Sequence, residues 1–596
     1  MFWKNRPTRI FSLCNLIAQE FSTFKSLPLV GSISLLAERE KQTHKRCFSS
    51  KNIILESEFG PVSVPDINLP QYLWKDMSKW GKKPMVTCGI TGRSYTYEEG
   101  NILRLKFANA LLSQLQLKKG DVIGLLLPNL PEYVIILHGA LEIGIIVTFV
   151  NPLYTSEEIY RQFENADVKC CVTMPDFIPS IERIIPRLKN YKSTILINPK
   201  SEQLSNPHVF DFDKLTSAET SINLTGNEPQ PKDTALLPYS SGTTGLPKGV
   251  MLTHRNLVSN LMQILNPKLC SYEPTTDEYQ EVALSVLPFF HIYGLNAILN
   301  VSIKEGFHIV TIPKFTPESY LDCLLKYKPT QLFLVPSLLL FLNSHPTIKP
   351  EYLISVKEIV SGAASATNSL IHNFKNKFNF TDIRIRQGYG MTELSPCALL
   401  TPIEMKLGKD GSAGKLISGT QARVVNISTG VDQPVYESGE LLIRGPQIMK
   451  GYWKNEKATL ETIDSDGWLH TGDVAYYDED EYFYIIDRTK ELIKVKGNQV
   501  SPTELENIIL KLPEVADVAV VGIPDALSDE IPKAFVVLKA GKKISENAII
   551  QHVNKEVVHY KRLAGGVNFI DSIPRNTAGK ILRKELKVLS EQKFKN

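Results

Sequence analysis

Along residues 58–486, short apolar runs alternate with stretches whose apolar residues recur at helical spacing. Asp121–Leu127, Ile145–Val150, Glu281–Leu287 and Gln331–Pro336 are strand-like. Between such runs lie capped helices: Thr155, with Glu158 three residues on, predicts a capping box and a helix to about Asn165. This alternation predicts layered α/β units with largely parallel sheets. Over 473–486 the pattern changes to paired, aromatic-rich β segments with acidic turn residues between them. After Asp487-Arg488 a small unit begins. Ser501-Pro502-Thr503-Glu504 supplies an N-cap, a Pro at the first helical position and a capping Glu. Ala516–Ile523 and Lys533–Leu538 are strand-like, and Ser545–Tyr560 has helical spacing. The expectation is an α/β body over 51–487 and a compact α+β lid over 488–596.

Leu284–Ile303 is uncharged over twenty residues, long enough to span a membrane, but Pro288, His291, Gly294, Asn296 and Asn300 mark it as buried strand, turn and helix. No transmembrane segment is expected. The chain has 596 residues with 43% apolar and 22% charged composition, which excludes wholesale disorder. Lys and Arg number 67 against 63 Asp and Glu, too balanced for a nucleic-acid partner. The eight cysteines form no CxxC pair, so neither a zinc ribbon nor a disulfide framework is indicated.

The first fifty residues differ. Eight basic residues stand against three acidic ones, no acid precedes Glu20, and Phe2, Trp3, Ile10, Phe11, Leu13 and Leu16 supply an apolar side. Acid-poor, Arg- and Ser-containing and amphipathic is transit-peptide composition, and Arg46-Cys47-Phe48-Ser49-Ser50 resembles a matrix-protease cleavage site. A cationic amphipathic helix is drawn to anionic, negatively polarised membranes. Residues 1–50 are therefore expected to be a mitochondrial (matrix) transit peptide, or else a disordered basic tail in a protein of the cytosol or peroxisome.

The sharpest chemical feature is Tyr239-Ser240-Ser241-Gly242-Thr243-Thr244-Gly245-Leu246-Pro247-Lys248-Gly249, entered from the apolar run Ala235–Leu237 and followed by a helix from about Asn256. Glycines permit close backbone approach, and hydroxyls, N–H groups and one Lys are the donors a phosphate chain needs. GxxxxGK[ST] is absent, so this is not a Walker A loop. Gln387–Glu393 adds an aromatic face at Tyr389, the Thr392 hydroxyl and a hard oxygen ligand for Mg²⁺ at Glu393. Asp473 follows a Thr-Gly turn, where a carboxylate can accept both hydroxyls of a ribose. His291 has no triad partner and no metal-ligand spacing, so nucleophilic or zinc chemistry is not supported there.

The loop resembles the signature of the adenylate-forming superfamily: acyl-CoA synthetases, 4-coumarate–CoA ligases, beetle luciferases and peptide-synthetase adenylation domains. Further segments resemble that family in the same order: Leu287–Gly294, Ser361–Ala364, Gln387–Glu393, Gly467–Asp473, Asp487–Lys494 and Pro574–Lys580. The resemblance covers about residues 60–590 and is nearest to 4-coumarate–CoA ligase-like acyl-CoA ligases.

The resemblance implies a large multi-subdomain body of layered α/β sheets with a distorted β-barrel, plus a small mobile lid. It implies an ATP-dependent ligase that activates a fatty or aryl carboxylic acid as acyl-AMP and passes it to CoA. Lys580, His291 and Lys248 are implied as catalytic. ATP and adenylate contacts are implied for Ser240, Ser241, Gly242, Thr243, Thr244, Gly245, Lys248, Gln387, Gly388, Tyr389, Thr392, Asp473, Arg488, Lys490, Lys494 and Lys580. Acyl contacts are implied for His291, Tyr293, Gly362, Ala363, Ala364, Gly388 and Gly390, with Ser395, Pro396 and Cys397 completing the lining. CoA contacts are implied for Lys496, Gly497 and Gln499, and Mg²⁺ contacts for Thr244 and Glu393. Lys490 is the implied hinge. The chain carries Ser365 where 4-coumarate–CoA ligases usually have Pro, and Asn498 where plant ligases usually have an aromatic residue, which leaves the choice of acid open. A monomer or homodimer is expected. A luciferase-like monooxygenase shares the adenylation half. An inactive homologue would show damage at Lys248, Glu393, Asp473, Arg488 or Lys580, and all five are intact.

Overall fold

A computed structural model describes residues 53–592 apart from 218–222, 241–246, 365, 367, 379–382, 497, 526 and 577–578. The leader expected through residue 50 lies outside the described residues. Two nine-stranded sheets form the body. In the first, Ile146–Phe149, Val122–Leu125, Val168–Thr173, Ser193–Leu196 and Val209–Asp211 run parallel. In the second, Pro84–Cys88, His308–Thr311, Val282–Ser285, Gln331–Leu334, Glu358–Ser361 and Arg384–Gly390 run parallel. The four strand-like runs read from the sequence all fall inside these sheets, because only a strand covered on both faces tolerates unbroken apolar text.

Helix Glu132–Glu142 explains how the sheets join. Every residue from Glu132 to Leu141 is buried, so it has no solvent face. One hydrophobic core takes Ile123 and Val147 from the first sheet, this helix, and Ala283, Ile309 and Phe333 from the second. Polar pins set the register. Asn129, ahead of the helix, donates to the carbonyls of Ser285 (3.2 Å) and Leu287 (2.8 Å) and accepts from the Phe289 N–H (2.8 Å). Buried His138 accepts from Trp74 Nε1 at 3.1 Å, which leaves its Nε2–H for Asn300 at 3.0 Å. Asn300 donates to Asn296, and Asn296 to the Ser395 carbonyl, at 2.8 and 2.7 Å. All donors point one way along this chain, the arrangement in which hydrogen bonds reinforce each other.

The part expected as a distorted barrel is a five-stranded antiparallel sheet: Leu55–Glu56, Gln421–Val425, Gly439–Arg444, Leu469–Tyr477, Phe483–Arg488. Register shifts between Glu440 and Leu442 and between Val474 and Ala475 bend it. Sheet membership changes between Arg488 and Ile493. From there Ile493–Val495, Asn498–Val500, Val515–Asp525, Asp529–Leu538 and Val567–Phe569 form a separate sheet with its own core around Leu505, Val520 and Val536. Helix Pro502–Ile509 begins at the Ser501 cap, and Glu546–Glu556 occupies the helical run read at 545–560. Among the described residues, no helix is long and apolar enough to cross a membrane.

The strand that leads into the Gly/Ser/Thr loop and the helix that follows are both present, as Thr234–Leu236 and His254–Ile264. Between them the structure adds two antiparallel strands flanking the loop, Tyr239–Ser240 and Lys248–Thr253, with Ser240 opposite Lys248. Lys248–Thr253 reads as a loop exit in the sequence, but its Val250 and Leu252 fill the first sheet's core. The helix starts at His254, capped by Thr253.

Replacing Asn129 with Ala leaves two buried carbonyls and one N–H without their partner. We expect Asn129→Ala to lower stability by about 3 kcal/mol, read as an earlier midpoint in chemical denaturation. An unchanged midpoint would show that this bridge does not hold the two sheets together.

Candidate functional site

The functional side chains converge where the second sheet, the five-stranded sheet and the lid meet. Strand Arg384–Gly390 ends in Tyr389, whose hydroxyl donates to Asp473 Oδ2 at 2.6 Å. Asp473 is opposite Arg488 in the antiparallel register, and Arg488 Nε lies 3.0 Å from Asp473 Oδ1. Asp473 is only 4% exposed. Burial pushes its pKa up, against the pull of Arg488 and the Tyr389 hydroxyl. Burial is the largest influence on Arg488 and would lower its pKa, but Asp473, Tyr389, Glu491 and Glu393 together carry the net shift upward. The carboxylate expected for ribose and the aromatic ring expected for adenine are thus brought together, an arrangement invisible in two segments more than eighty residues apart.

A second cluster lies at the mouth of the loop. Glu393, buried in the short turn after Tyr389, accepts from the Ser240 hydroxyl at 3.0 Å and from the Tyr452 hydroxyl at 2.8 Å. Lys248 Nζ stands 4.6 Å from the Tyr452 ring centroid, a cation–π contact. Tyr452 was not singled out from the sequence. Its only signal is the Gly451-Tyr452 step, which pairs with Val250 and Met251 and so lands beside the loop. Ser241, Gly242, Thr243, Thr244 and Gly245 lie outside the described residues, as does Gly497.

The lid contributes Lys580. Its ammonium lies 3.6 Å from Glu491, which also receives Arg583 Nε at 3.0 Å. Burial and the Arg488 guanidinium lower the Lys580 pKa, while Glu491 and Asp473 pull it up. A Cβ on Gly579 would stand 3.2 Å from Val335 Cγ2 and 3.3 Å from Ser337 Oγ, so the Lys580 loop rests on the start of helix Pro336–Ser344. Gly579 has φ +80°, a conformation glycine takes freely. Lys490 is exposed in the junction. Lys494 and Lys496 are exposed on the lid hairpin Ile493–Val495 and Asn498–Val500, the strand that also carries Gln499.

Beside the cleft is an apolar pocket. Helix Tyr293–Asn300, the Ser361–Ala363 turn and the Gly388–Met391 and Pro396–Cys397 segments wall it. His291, Tyr293, Gly362, Ala363, Gly388, Gly390, Pro396 and Cys397 line it as expected. Two expected residues do not. Ser395 is turned away, its hydroxyl donating to the Gln447 carbonyl at 2.8 Å. Ala364 is exposed and outside the lining. The reason is backbone: Ala363 has φ +68°, which swings the next residue outward. Gly390 is required because a Cβ there would meet the Pro396 carbonyl oxygen at 1.9 Å. Gln387 is buried and accepts from the Ala366 N–H at 2.8 Å, so it braces the Ser361–Ala366 turn. Thr392 opens the turn that carries Glu393.

Sequence reading missed Tyr272, Phe333, Leu400 and Arg386 in this lining. Arg386 meets Glu358 through two bonds of 2.8 and 2.9 Å and donates to the carbonyls of Leu269 and Thr401. Its charge is matched inside the wall, so the cavity stays apolar. Tyr293 spends its hydroxyl on the Val360 carbonyl at 3.0 Å. Burial lowers the His291 pKa, which favours the neutral imidazole in the cavity wall.

Comparison with known proteins gives this geometry its context. Residues 73–453 match the AMP-binding enzyme family, and 504–580 match the AMP-binding enzyme C-terminal domain. A probable 4-coumarate–CoA ligase 3 of Dictyostelium discoideum is 37% identical over 90% of this chain and 98% of its own length. A 4-coumarate–CoA ligase of Vanilla planifolia is 37% identical over 90% and 96%. ATP-bound MatB from Rhodopseudomonas palustris superposes with a TM-score of 0.78 at 25% identity, covering 89% of this chain and 100% of that one. O-succinylbenzoate-CoA synthetase from Bacillus subtilis, bound to its acyl-adenylate, gives 0.72 at 26%, covering 88% and 99%. By these matches the chain belongs to the AMP-binding enzyme family, the adenylate-forming superfamily.

Proposed function

We propose that the cleft joins a hydrophobic carboxylic acid to CoA in two half-reactions. As an AMP-forming acid–thiol ligase, the chain activates the acid with ATP as acyl-AMP and then transfers the acyl group to the CoA thiol. The carrying observation is Lys580 of the lid, 3.6 Å from Glu491 in the junction and within electrostatic reach of the Asp473–Arg488 pair of the body. Relatives named 4-coumarate–CoA ligases and a solved neighbour bound to its acyl-adenylate support the same reading.

A carboxylate is a poor acyl donor because its leaving group would be oxide. In the first half its oxygen attacks the α-phosphorus of ATP, a P–O bond forms, and the bond to pyrophosphate breaks. Little covalent work falls to the protein, so positioning and charge stabilisation carry the step. Asp473 accepts the ribose hydroxyls and the Tyr389 ring lies along the adenine. Lys248 and Ser240 face the departing pyrophosphate. The Lys580 ammonium meets the carboxylate and the α-phosphate as charge develops. Glu393 is a hard carboxylate beside a hydroxyl, which fits Mg²⁺ held by one carboxylate and the nucleotide's phosphates. Such an ion would neutralise phosphate charge, and Glu393 with Thr244 would hold it. In the second half the lid turns about Lys490, Lys580 withdraws, and Lys494, Lys496, Gly497 and Gln499 approach the adenylate. The CoA thiolate attacks the acyl carbon and AMP leaves. Acyl-AMP is open to water, so the apolar cavity with its internally matched Arg386 also protects the intermediate.

The lining admits an aryl-propenoate or a fatty chain. Pyrophosphate release and acyl-CoA formation across a panel of fatty and cinnamic acids decide between them. If no acid yields AMP, the ligase reading fails. Lys580→Ala is expected to lower pyrophosphate release by about 10²–10³-fold while supplied acyl-AMP is still converted to acyl-CoA. Equal loss of both half-reactions would reject the division of labour.

The compartment is a separate reading. The acid-poor, basic, amphipathic first fifty residues support the mitochondrial matrix. A fluorescent fusion of the full-length chain is expected in mitochondria and one lacking residues 1–50 in the cytosol. Cytosolic signal from the full-length fusion would overturn the assignment.

A further inference from the structure

Glu491 was unassigned in the sequence reading, yet its carboxylate meets two lid cations. It sits in the junction turn one residue past Lys490, its N–H donating to the Arg488 carbonyl at 2.9 Å. Its two oxygens face two cations. Oε2 receives Arg583 Nε at 3.0 Å, and Oε1 lies 3.6 Å from Lys580 Nζ. Arg583 is anchored on its other side by Glu506 and by the Val520 carbonyl at 2.8 Å. Arg575, paired with Asp517 at 3.0 Å, donates to the Gly579 carbonyl at 3.1 Å and steadies the loop that carries Lys580. All these groups lie past Lys490 in the chain. A rotation at Lys490 carries them together and leaves only Arg488 and Asp473 behind.

We propose that Glu491 is a positioning residue for adenylation, holding the Lys580 ammonium ready for the cleft through a carboxylate contact that travels with the lid. The inference rests on the assignment of Lys580 to acyl activation. The need for such a contact is electrostatic. The charged groups facing Lys580 are Arg488 and Asp473 from the body sheet and Glu491 from the junction turn, with Arg583 behind Glu491. Asp473 is already engaged by Arg488 and Tyr389. Without Glu491, a half-buried ammonium would face a guanidinium across the seam with another behind it. Burial and Arg488 both favour the neutral amine, and Glu491 opposes them. A neutral amine cannot stabilise developing phosphate charge. Activity that needs the ammonium is present below its pKa and is lost as pH rises through it. Removing the Glu491 charge lowers that pKa, so the alkaline limb must move to lower pH.

The test uses the full-length protein with ATP, Mg²⁺ and the best acid of the panel. Pyrophosphate release is followed from about pH 6 to about pH 10, a range bracketing a depressed lysine. Glu491→Gln is expected to move the alkaline limb of kcat down by about one pH unit. KM for ATP and conversion of supplied acyl-AMP to acyl-CoA should remain at parent values. Glu491→Asp keeps a charge for Arg583 but draws it back from Nζ, so it should move the limb less, in the same direction, with full thioester formation. The proposal is overturned by an unmoved limb in both variants, or by thioester formation lost in step with adenylation in both. Lys580→Ala separates the two levels: if it retains pyrophosphate release, the assignment of Lys580 fails first. If it loses release while both Glu491 variants keep the parent limb, only the role of Glu491 fails.

Discussion

A buried carboxylate between two separately folded units is the constraint on which the cleft depends. Asp473 is nearly solvent-free, and an unpaired charge there would be costly. Arg488 meets it across the strand pair, and Tyr389 donates to its other oxygen. That triad ties the end of the second body sheet to the end of the five-stranded sheet, at the residue where the chain leaves for the lid. Tyr389, Asp473 and the start of the lid junction thus share one hydrogen-bonded unit. The lid closes over it with Lys580, whose burial is tolerable because carboxylates lie on both sides of the seam.

The same economy governs the acyl side. Apolar walls are needed to seat a hydrophobic acid and exclude water, yet they are built from backbone-rich turns that bring polar groups with them. The protein satisfies those groups internally. Arg386 is consumed by Glu358 and two carbonyls, the Tyr293 hydroxyl by Val360, and the Ser395 carbonyl by the chain running from Trp74 through His138, Asn300 and Asn296. That chain reaches from helix Glu132–Glu142 to the turn carrying Glu393, so the cavity wall and the phosphate end of the cleft keep one register. Close packing at Gly390, where no side chain fits beneath Pro396, completes it.

Much of the architecture was legible in advance. Apolar runs such as 145–150 and 331–336 read as strands, and Thr155 and Ser501 carried their helix starts in local capping chemistry. The motif segments pointed to Lys248, Glu393, Asp473, Arg488 and Lys580 before any coordinates. What escaped was whatever depends on pairing across long separations. Lys248–Thr253 looks like the end of a loop until the first sheet offers it a neighbour. Tyr452 looks like one aromatic among many until it lands on Glu393. Ser395 and Ala364 look like cavity lining until a left-handed Ala363 and the Gln447 carbonyl turn them away.

By itself, then, the sequence determined the class of fold, the order of the units and the side chains able to perform phosphoryl chemistry, because periodicity, caps and functional groups are local properties of a chain. Which of those side chains face one another, how each buried charge is neutralised and where Lys580 comes to rest were decided only in three dimensions. Coulombic and hydrogen-bond energies fall off within a few ångströms, and the chain alone does not say which distant residues will come that near.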